Sequence, residues 1–280
     1  MIRARPLTFS DIPGCMVLTA EAGWNQIEPD WRTILTLGEG RGLFNAERLI
    51  ASAAIVPYGG RVGWICMVLV TPSEQRKGLA TQLLEWATTR LKELQLIAGL
   101  DATPAGREVY RKLGFDDIYG ITRLQTETMR VPAEPTAVAV QPLSESHLSM
   151  IAAYDRPIFG ADRGALLQSL RERQPALAFI ATDQNQCSGF LLAREGGNAT
   201  QIGPLVAQDT ATARALLSAA ASRVEGPVFI DLVDVHVELR TWLEHHGFAA
   251  QRAFTRMLES HPRPIDNATH VFALTGPEFA

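Results

Sequence analysis

Apolar positions follow two rhythms along the chain. Glu47–Tyr58 ("ERLIASAAIVPY") and Arg61–Val70 ("RVGWICMVLV") are apolar runs on either side of Gly59–Gly60. They read as two adjacent strands joined by a tight turn. From Leu79 the interval lengthens: Leu79, Leu83, Ala87, Leu91 and Leu94 recur at helical spacing. Leu96–Thr103 ("LIAGLDAT") returns to strand character, and a short helix through Leu113 is stopped by Gly114. Alternating strands and helices predict a mixed α/β architecture.

The pattern occurs twice. "RPLTFSDI" (Arg5–Ile12) is similar to "QPLSESHL" (Gln141–Leu148) at a shift of 136, and Val70 matches Val206 at the same shift. Gly59–Gly60 matches Gly196–Gly197 at a shift of 137. Beyond Leu83–Leu84, which match Leu216–Leu217, the shift settles at 133. It carries Asp101 to Asp234, Gly114–Phe115 to Gly247–Phe248, and Thr122–Arg123 to Thr255–Arg256. Ordered matches at a near-constant shift indicate a duplication. Pro132 and Pro135 bracket a short stiff linker, which predicts domains at residues 1–132 and 136–280.

Composition narrows the class. Hydrophobic residues make up 46% and charged residues 20% of 280, the balance of a soluble globular protein. Acidic side chains number 30 against 26 basic ones, a formal charge of −4. That balance argues against a nucleic-acid partner, which needs a basic surplus. No apolar window reaches membrane-spanning length, so no membrane partner is expected. Cys15, Cys66 and Cys187 are odd in number and far apart, which fits reduced thiols and a cytoplasmic location. The Asn198 and Asn267 N-x-Thr triplets read as incidental without a secretion signal.

The stretch "VTPSEQRKGLATQLL" (Val70–Leu84) carries the candidate chemistry. A strand that turns directly into a helix points unpaired backbone N–H groups, and the positive end of the helix dipole, past the strand end. Gly78 permits close approach, Ala80 keeps the entrance clear, Arg76 and Lys77 add charge, and Thr81 adds a hydroxyl. That combination suits a pyrophosphate, and equally a solvated turn with two surface bases. Downstream, "DATPAGREVYRKLGF" places Tyr110 four residues before Gly114–Phe115.

Val70-x-Pro72, then Gln75, Gly78 and Ala80, followed by this tyrosine motif, resembles the GNAT acetyltransferase superfamily. The resemblance covers residues 1–130 and, more faintly, 137–280. It implies two tandem GNAT folds, each a mixed, mostly antiparallel sheet flanked by helices, with a splayed central strand pair. It also implies acetyl-CoA as co-substrate. Backbone groups of the strand end Val68–Leu69–Val70 would pair with the coenzyme's amide arm, as an added strand would. Gln75, Arg76, Lys77, Gly78, Leu79, Ala80 and Thr81 would form the pyrophosphate loop. Tyr110 would protonate the departing thiolate, since a phenol of pKa about 10 can donate to a thiol of pKa about 8.5. Many members carry asparagine where this chain has Thr103, whose hydroxyl offers fewer donors and acceptors to the coenzyme.

A general base is harder to name. The strand Val62–Val70 contains no acid, which leaves a water relay as the default route for the amine proton. The N-terminal segment "EAGWNQIEPDW", which covers the acceptor pocket in this superfamily, offers Trp24, Asn25, Gln26 and Asp30, with Glu21 and Glu28 nearby. Trp24 and Trp31 could form an apolar wall or a cation–π face for an ammonium, or belong to the core. No metal is expected: His245 and His246 point to different helix faces, and no histidine stands at a zinc spacing with cysteine. Cys66 reads as buried and inert. A GxSxG nucleophile elbow is absent.

The second copy lacks the loop. Its corresponding segment, "VAQDTATARALL", is shorter, has no glycine and places Asp209 in the turn, where a carboxylate would repel phosphate. Leu243 stands opposite Tyr110 in the repeat alignment and has no proton to give. Roles left for this copy are support of the first, a wall of the acceptor pocket drawing on Asp234, His236 or Trp242, or homodimerisation. The expected activity is acetyl transfer directly to a primary amine, with a small molecule preferred to a protein. The alternative is a coenzyme-binding sensor or scaffold.

Overall fold

The computed structural model describes residues 2–132 and 138–280. The linker residue Pro135 and the domain boundary expected at residue 136 lie outside them. The first repeat runs β1 (Ile2–Pro6), α1 (Ile12–Glu21), α2 (Glu28–Leu37), β2 (Glu39–Asn45), β3 (Arg48–Tyr58), β4 (Val62–Val70), α3 (Leu79–Glu93), β5 (Ile97–Ala102), α4 (Pro104–Lys112) and β6 (Phe115–Thr126). The same order then returns. It comprises β7 (Ala139–Pro142), α5 (Leu148–Phe159), α6 (Gly164–Arg173), β8 (Phe179–Asp183), β9 (Gln186–Arg194), β10 (Thr200–Ala207), α7 (Thr210–Ala221), β11 (Val228–Val233), α8 (Val237–His245) and β12 (Ala249–Glu259). A last strand, β13 (Val271–Leu274), follows and has no counterpart among the described residues of the first repeat.

In space the chain forms two compact units. One holds the chain up to Leu100 together with Gly196–Asn198 and Phe279; the other holds Asp101–Glu195, Ala199–Glu278 and Ala280. The first unit is built on the strand order β1-β2-β3-β4-β5. Pairing is antiparallel from β1 to β4 and parallel between β4 and β5. Helices α1, α2 and α3 all pack on β3, which explains why that strand is apolar almost throughout rather than alternating. Gly63 lets α3 close on β4, since a Cβ there would lie 2.1 Å from a Leu91 methyl.

Parallel pairing of β4 with β5 is short. It covers Val62–Ile97, Gly63–Ala98 and Trp64–Gly99, after which β4 runs on to Val70 without a registered partner on that side. A bulge accompanies this divergence. The β3 register shifts between Ser52 and Ala54, and opposite it Met67 adopts a left-handed φ of 51°. Buried Ser52 donates its hydroxyl to the Met67 carbonyl at 3.0 Å and so holds the bulge in place.

The second unit follows the order β12-β6-β11-β13-β10-β9-β8-β7. Strand β6, from the first repeat, lies between two strands of the second and pairs antiparallel with both. Parallel strands β10 and β11 start paired at Thr200–Val228, Gln201–Phe229 and Ile202–Ile230 and then part. Strand β13 enters the gap, pairing Leu205 with Ala273 on one side and Leu232 with Ala273 on the other. All of its residues are buried.

Arginine–aspartate pairs are buried within this unit. Arg123 on β6 makes two 2.7 Å bonds to Asp231 on β11. Arg256 on β12 makes two 3.0 Å bonds to Asp101 and a third, of 2.7 Å, to Asp266. Tyr119 joins that cluster, accepting from Arg256 and donating to Asp266. Desolvation makes such pairs costly to break, because removing one partner strands the other charge.

Candidate active site

The β4–α3 connection occupies Thr71–Gly78. Thr71 is buried and its N–H bonds the Ile50 carbonyl at 2.9 Å, which fixes where the loop leaves the sheet. Gln75 returns a side-chain bond of 3.2 Å to the Val70 carbonyl. Arg76 and Gly78 both take left-handed backbone, with φ of 63° and 81°. For Gly78 this conformation is free of strain, whereas for Arg76 it is a held, less populated state. Left-handed residues next to right-handed ones turn successive N–H groups toward one point, a geometry that suits anions.

Helix α3 has no side-chain cap. Gln82 is the first residue of the helix to find an acceptor, the Gly78 carbonyl at 3.0 Å. Backbone N–H groups from Arg76 through Thr81 have no acceptor among the described residues. A Cβ placed on Gly78 would meet nothing within 4 Å, so the space in front of these donors is open. Lys77 pairs with Glu74 at 3.0 Å on the surface, while the Arg76 guanidinium has no acidic partner among the described residues. Leu79 is buried and anchors the helix start; Ala80 and Thr81 are half-buried beside it. On β4, Leu69 is buried, while half-buried Val68 and Val70 pack with Leu79 and Leu83.

Tyr110 belongs to the second unit. Helix α4 is capped by Thr103, whose hydroxyl oxygen accepts from the Gly106 N–H at 3.3 Å, so the residue expected at the coenzyme has a capping duty as well. Arg107 clamps the helix to Asp117 of β6 with bonds of 2.9 and 2.5 Å, and Arg111 reaches the same carboxylate. These arginines hold the Asp117 carboxyl down at about 2. One turn before Tyr110, Gly106 leaves room for its ring; a Cβ there would lie 2.9 Å from the ring edge. The ring also sits 6.0 Å from that of Phe115. Its hydroxyl makes no hydrogen bond among the described residues, and burial pushes the phenol up to about 12. Tyr110 is therefore a protonated donor with its proton uncommitted.

The expected acceptor residues divide in two. Asn25 is buried and clasps the Gly196–Asn198 turn: its backbone carbonyl accepts from Gly197 at 2.8 Å and its side-chain oxygen from Asn198 at 2.9 Å. A Cβ on Gly196 would fall 2.3 Å from the Asn25 amide nitrogen. Asp30 is buried and accepts from the Ile27 N–H at 2.8 Å, closing the start of α2. Gln26 is buried and Trp24 half-buried on the same loop. Trp31 is core, with its indole N–H bonded to Thr19 at 3.0 Å.

In the second unit, Asp234 accepts from Thr122 at 2.6 Å, His236 stacks on Phe272, and Trp242 is buried in the core. Leu243, opposite Tyr110 in the repeat, is fully buried. Sequence reasoning missed the Met67 bulge, for which methionine gives no signal, and the Asn25 clasp, whose partner lies in the other repeat. Among the described residues no group of His, Cys, Asp and Glu is placed to hold a metal, and no helix is long and apolar enough to cross a membrane.

Comparison with known proteins gives the family. Residues 18–115 match the model of the GNAT acetyltransferase family, and residues 151–273 match that of a GNAT acetyltransferase domain. An uncharacterized N-acetyltransferase of Bacillus subtilis, YitH, is 26% identical over 94% of this chain and 93% of its own. Holothin acyltransferase of a Pseudoalteromonas species is 25% identical over 62% of this chain and 58% of its own. A Pyrococcus horikoshii protein assigned as an acetyltransferase shares the fold at TM-score 0.82 and 18% identity, over 100% of this chain and 96% of its own. A tandem GNAT protein from the clavulanic acid biosynthesis pathway does so at TM-score 0.65 and 14% identity, over 94% of this chain and 99% of its own. With one GNAT match in each repeat, the chain belongs to the GNAT acetyltransferases, as a member of the tandem type.

Proposed function

We propose that the protein is an N-acetyltransferase that uses acetyl-CoA and acetylates the primary amine of a small molecule directly, without an acyl-enzyme. One observation carries the reading: the unpaired backbone N–H groups from Arg76 through Thr81, fronted by the open space at Gly78. Open donors at a helix start fit a pyrophosphate. Arg76, Lys77, Gly78, Leu79, Ala80 and Thr81 would hold that group, with Gln75 tying the loop to the end of β4. The unpartnered side of β4 at Val68, Leu69 and Val70 would take the amide arm as an added strand. Thr103 would contribute its remaining hydroxyl proton.

The coenzyme supplies an activated acetyl thioester when bound. The Tyr110 hydroxyl gives its proton to the departing sulfur, a contribution of about 10²–10⁴ in rate. The amine proton leaves through water, because β4 offers no acid. Trp24 and Gln26 would act in acceptor binding, on a loop whose shape Asn25 and Asp30 hold. The names of two similar proteins, holothin acyltransferase and the clavulanic acid pathway protein, favour a small-molecule acceptor.

The test is thiol release from acetyl-CoA over a panel of small amines and a lysine peptide, with wild type and Tyr110→Phe. Turnover with small amines, reduced about 10²–10⁴-fold in the variant, is the expected result. Coenzyme binding without turnover on any amine, unchanged by the variant, would leave a coenzyme-binding protein and overturn the enzyme reading.

A further inference from the structure

The first unit carries a cavity of about 720 Å³ along α3 from Gln82 to Glu93 and along β2 from Glu39 to Arg41. None of the loop residues Arg76 through Thr81 lines it. Its size falls in the range of small-molecule sites. Glu39 and Arg41 are two residues apart on β2 and so share a face; Trp86 and Arg90 are one turn apart on α3 and do the same. The two pairs meet differently. Glu39 takes both oxygens to Arg90, with bonds of 2.8 to 3.1 Å, and Glu93 adds a further 3.0 Å bond to that guanidinium. Arg90 is saturated.

Arg41 is not. Its guanidinium lies 5.7 Å from the centre of the Trp86 ring and has no carboxylate partner among the described residues, although it is half-buried in the cavity wall. Its N–H groups make no hydrogen bond among the described residues, which leaves them for a planar, two-oxygen acceptor. Glu85, beside Trp86, also lines the cavity, and its carboxylate has no partner among the described residues. Leu7 and Leu35 supply apolar wall. Three glutamates against two arginines make the site unfavourable for phosphates and other polyanions. One free guanidinium and one free carboxylate beside apolar surface call for a ligand with the opposite pair of charges and an apolar body.

We propose that this cavity binds a small zwitterion of the amino-acid type. Its carboxylate sits on Arg41, its ammonium on Glu85, and its apolar side chain against Leu7 and Leu35. The inference stands apart from the acetyltransferase reading, because it uses none of the same residues.

Calorimetric titration of the intact protein tests it with four probes: L-phenylalanine, N-acetyl-L-phenylalanine, phenethylamine and inorganic phosphate. L-Phenylalanine should bind saturably at millimolar concentration. Each single-charge analogue should bind at least about tenfold more weakly, and phosphate not at all. Arg41→Gln and Glu85→Gln, at a half-buried and an exposed position, should each weaken L-phenylalanine at least about tenfold while the thermal melt stays in place. Absence of saturable binding overturns the proposal. So does binding that persists in Arg41→Gln, which places the ligand elsewhere. An N-acetyl analogue or phosphate that binds as well as L-phenylalanine overturns the zwitterion assignment.

Discussion

After β4 the chain runs from Thr71 to Gly78 before α3 begins; after β10 only Gln208 and Asp209 lead into α7. The longer connection ends in a glycine with no capping side chain, and its N–H groups find no acceptor among the described residues. The shorter one ends in Asp209, whose carboxylate accepts from the Thr212 N–H at 2.8 Å. The same helix start is thus uncapped in one repeat and closed by the chain's own carboxylate in the other. The neighbouring gap follows suit: β4 and β5 part after Trp64 with nothing between them among the described strands, whereas β10 and β11 part around β13. Tyr110 and Leu243 complete the contrast, a hydroxyl without a hydrogen bond among the described residues against a buried methyl-bearing side chain. Duplication supplied two copies of one frame, and ordinary capping, strand insertion and burial turned the second into solid structure.

Gly78→Glu is the sharpest way to break this comparison, because it makes the first turn like the second. It should weaken coenzyme binding at least about a hundredfold, since a carboxylate about 4 Å from a phosphate costs about 4 kcal/mol at the effective dielectric of a protein surface. Titration with CoA measures it, and unchanged affinity would end the loop assignment. The same titration on wild type should give one coenzyme per chain. Two would mean that β13 and Asp209 do not close the second copy.

Arg256→Met should cost about 3–5 kcal/mol in chemical unfolding, because it leaves Asp101 and Asp266 buried without their cation. A loss under about 1 kcal/mol would show that water reaches that cluster. Asp209→Ala should cost about 1 kcal/mol through loss of the cap, read as a small drop in melting temperature, and should not create coenzyme binding. The smallest expected effect is in pH. Burial holds the Tyr110 phenol at about 12, above its ordinary value, so the proton-bearing form persists through the neutral and mildly alkaline range. The kcat profile should rise as the amine deprotonates and show no tyrosine-dependent fall below about pH 10. A falling limb near pH 8 that disappears in Tyr110→Phe would contradict this.

Local patterns carried much of this. The apolar run Val62–Val70, the helical spacing from Leu79 and the Gly114 stop all lie in the elements they predict. The same is true of the family and the fold class. Thr122–Arg123 and Thr255–Arg256 were visible as repeat markers, yet nothing local shows that both arginines land on buried aspartates. Asn25 was legible as a polar residue near the expected acceptor pocket, but its engagement by Gly197 and Asn198 depends on residues far along the chain.

The sequence by itself determined the duplication, the order of elements within each repeat, and which turn lost its glycine. Those follow from short-range rules: side-chain period, capping and the conformational freedom of glycine. Only the tertiary structure decided that β6 lies between β11 and β12, that β13 fills the second gap, and that Arg41 has no carboxylate partner among the described residues while Arg90 gains two. A strand's alternation identifies its buried face but not its neighbour. Pairing of distant segments is settled by register and packing over the whole core.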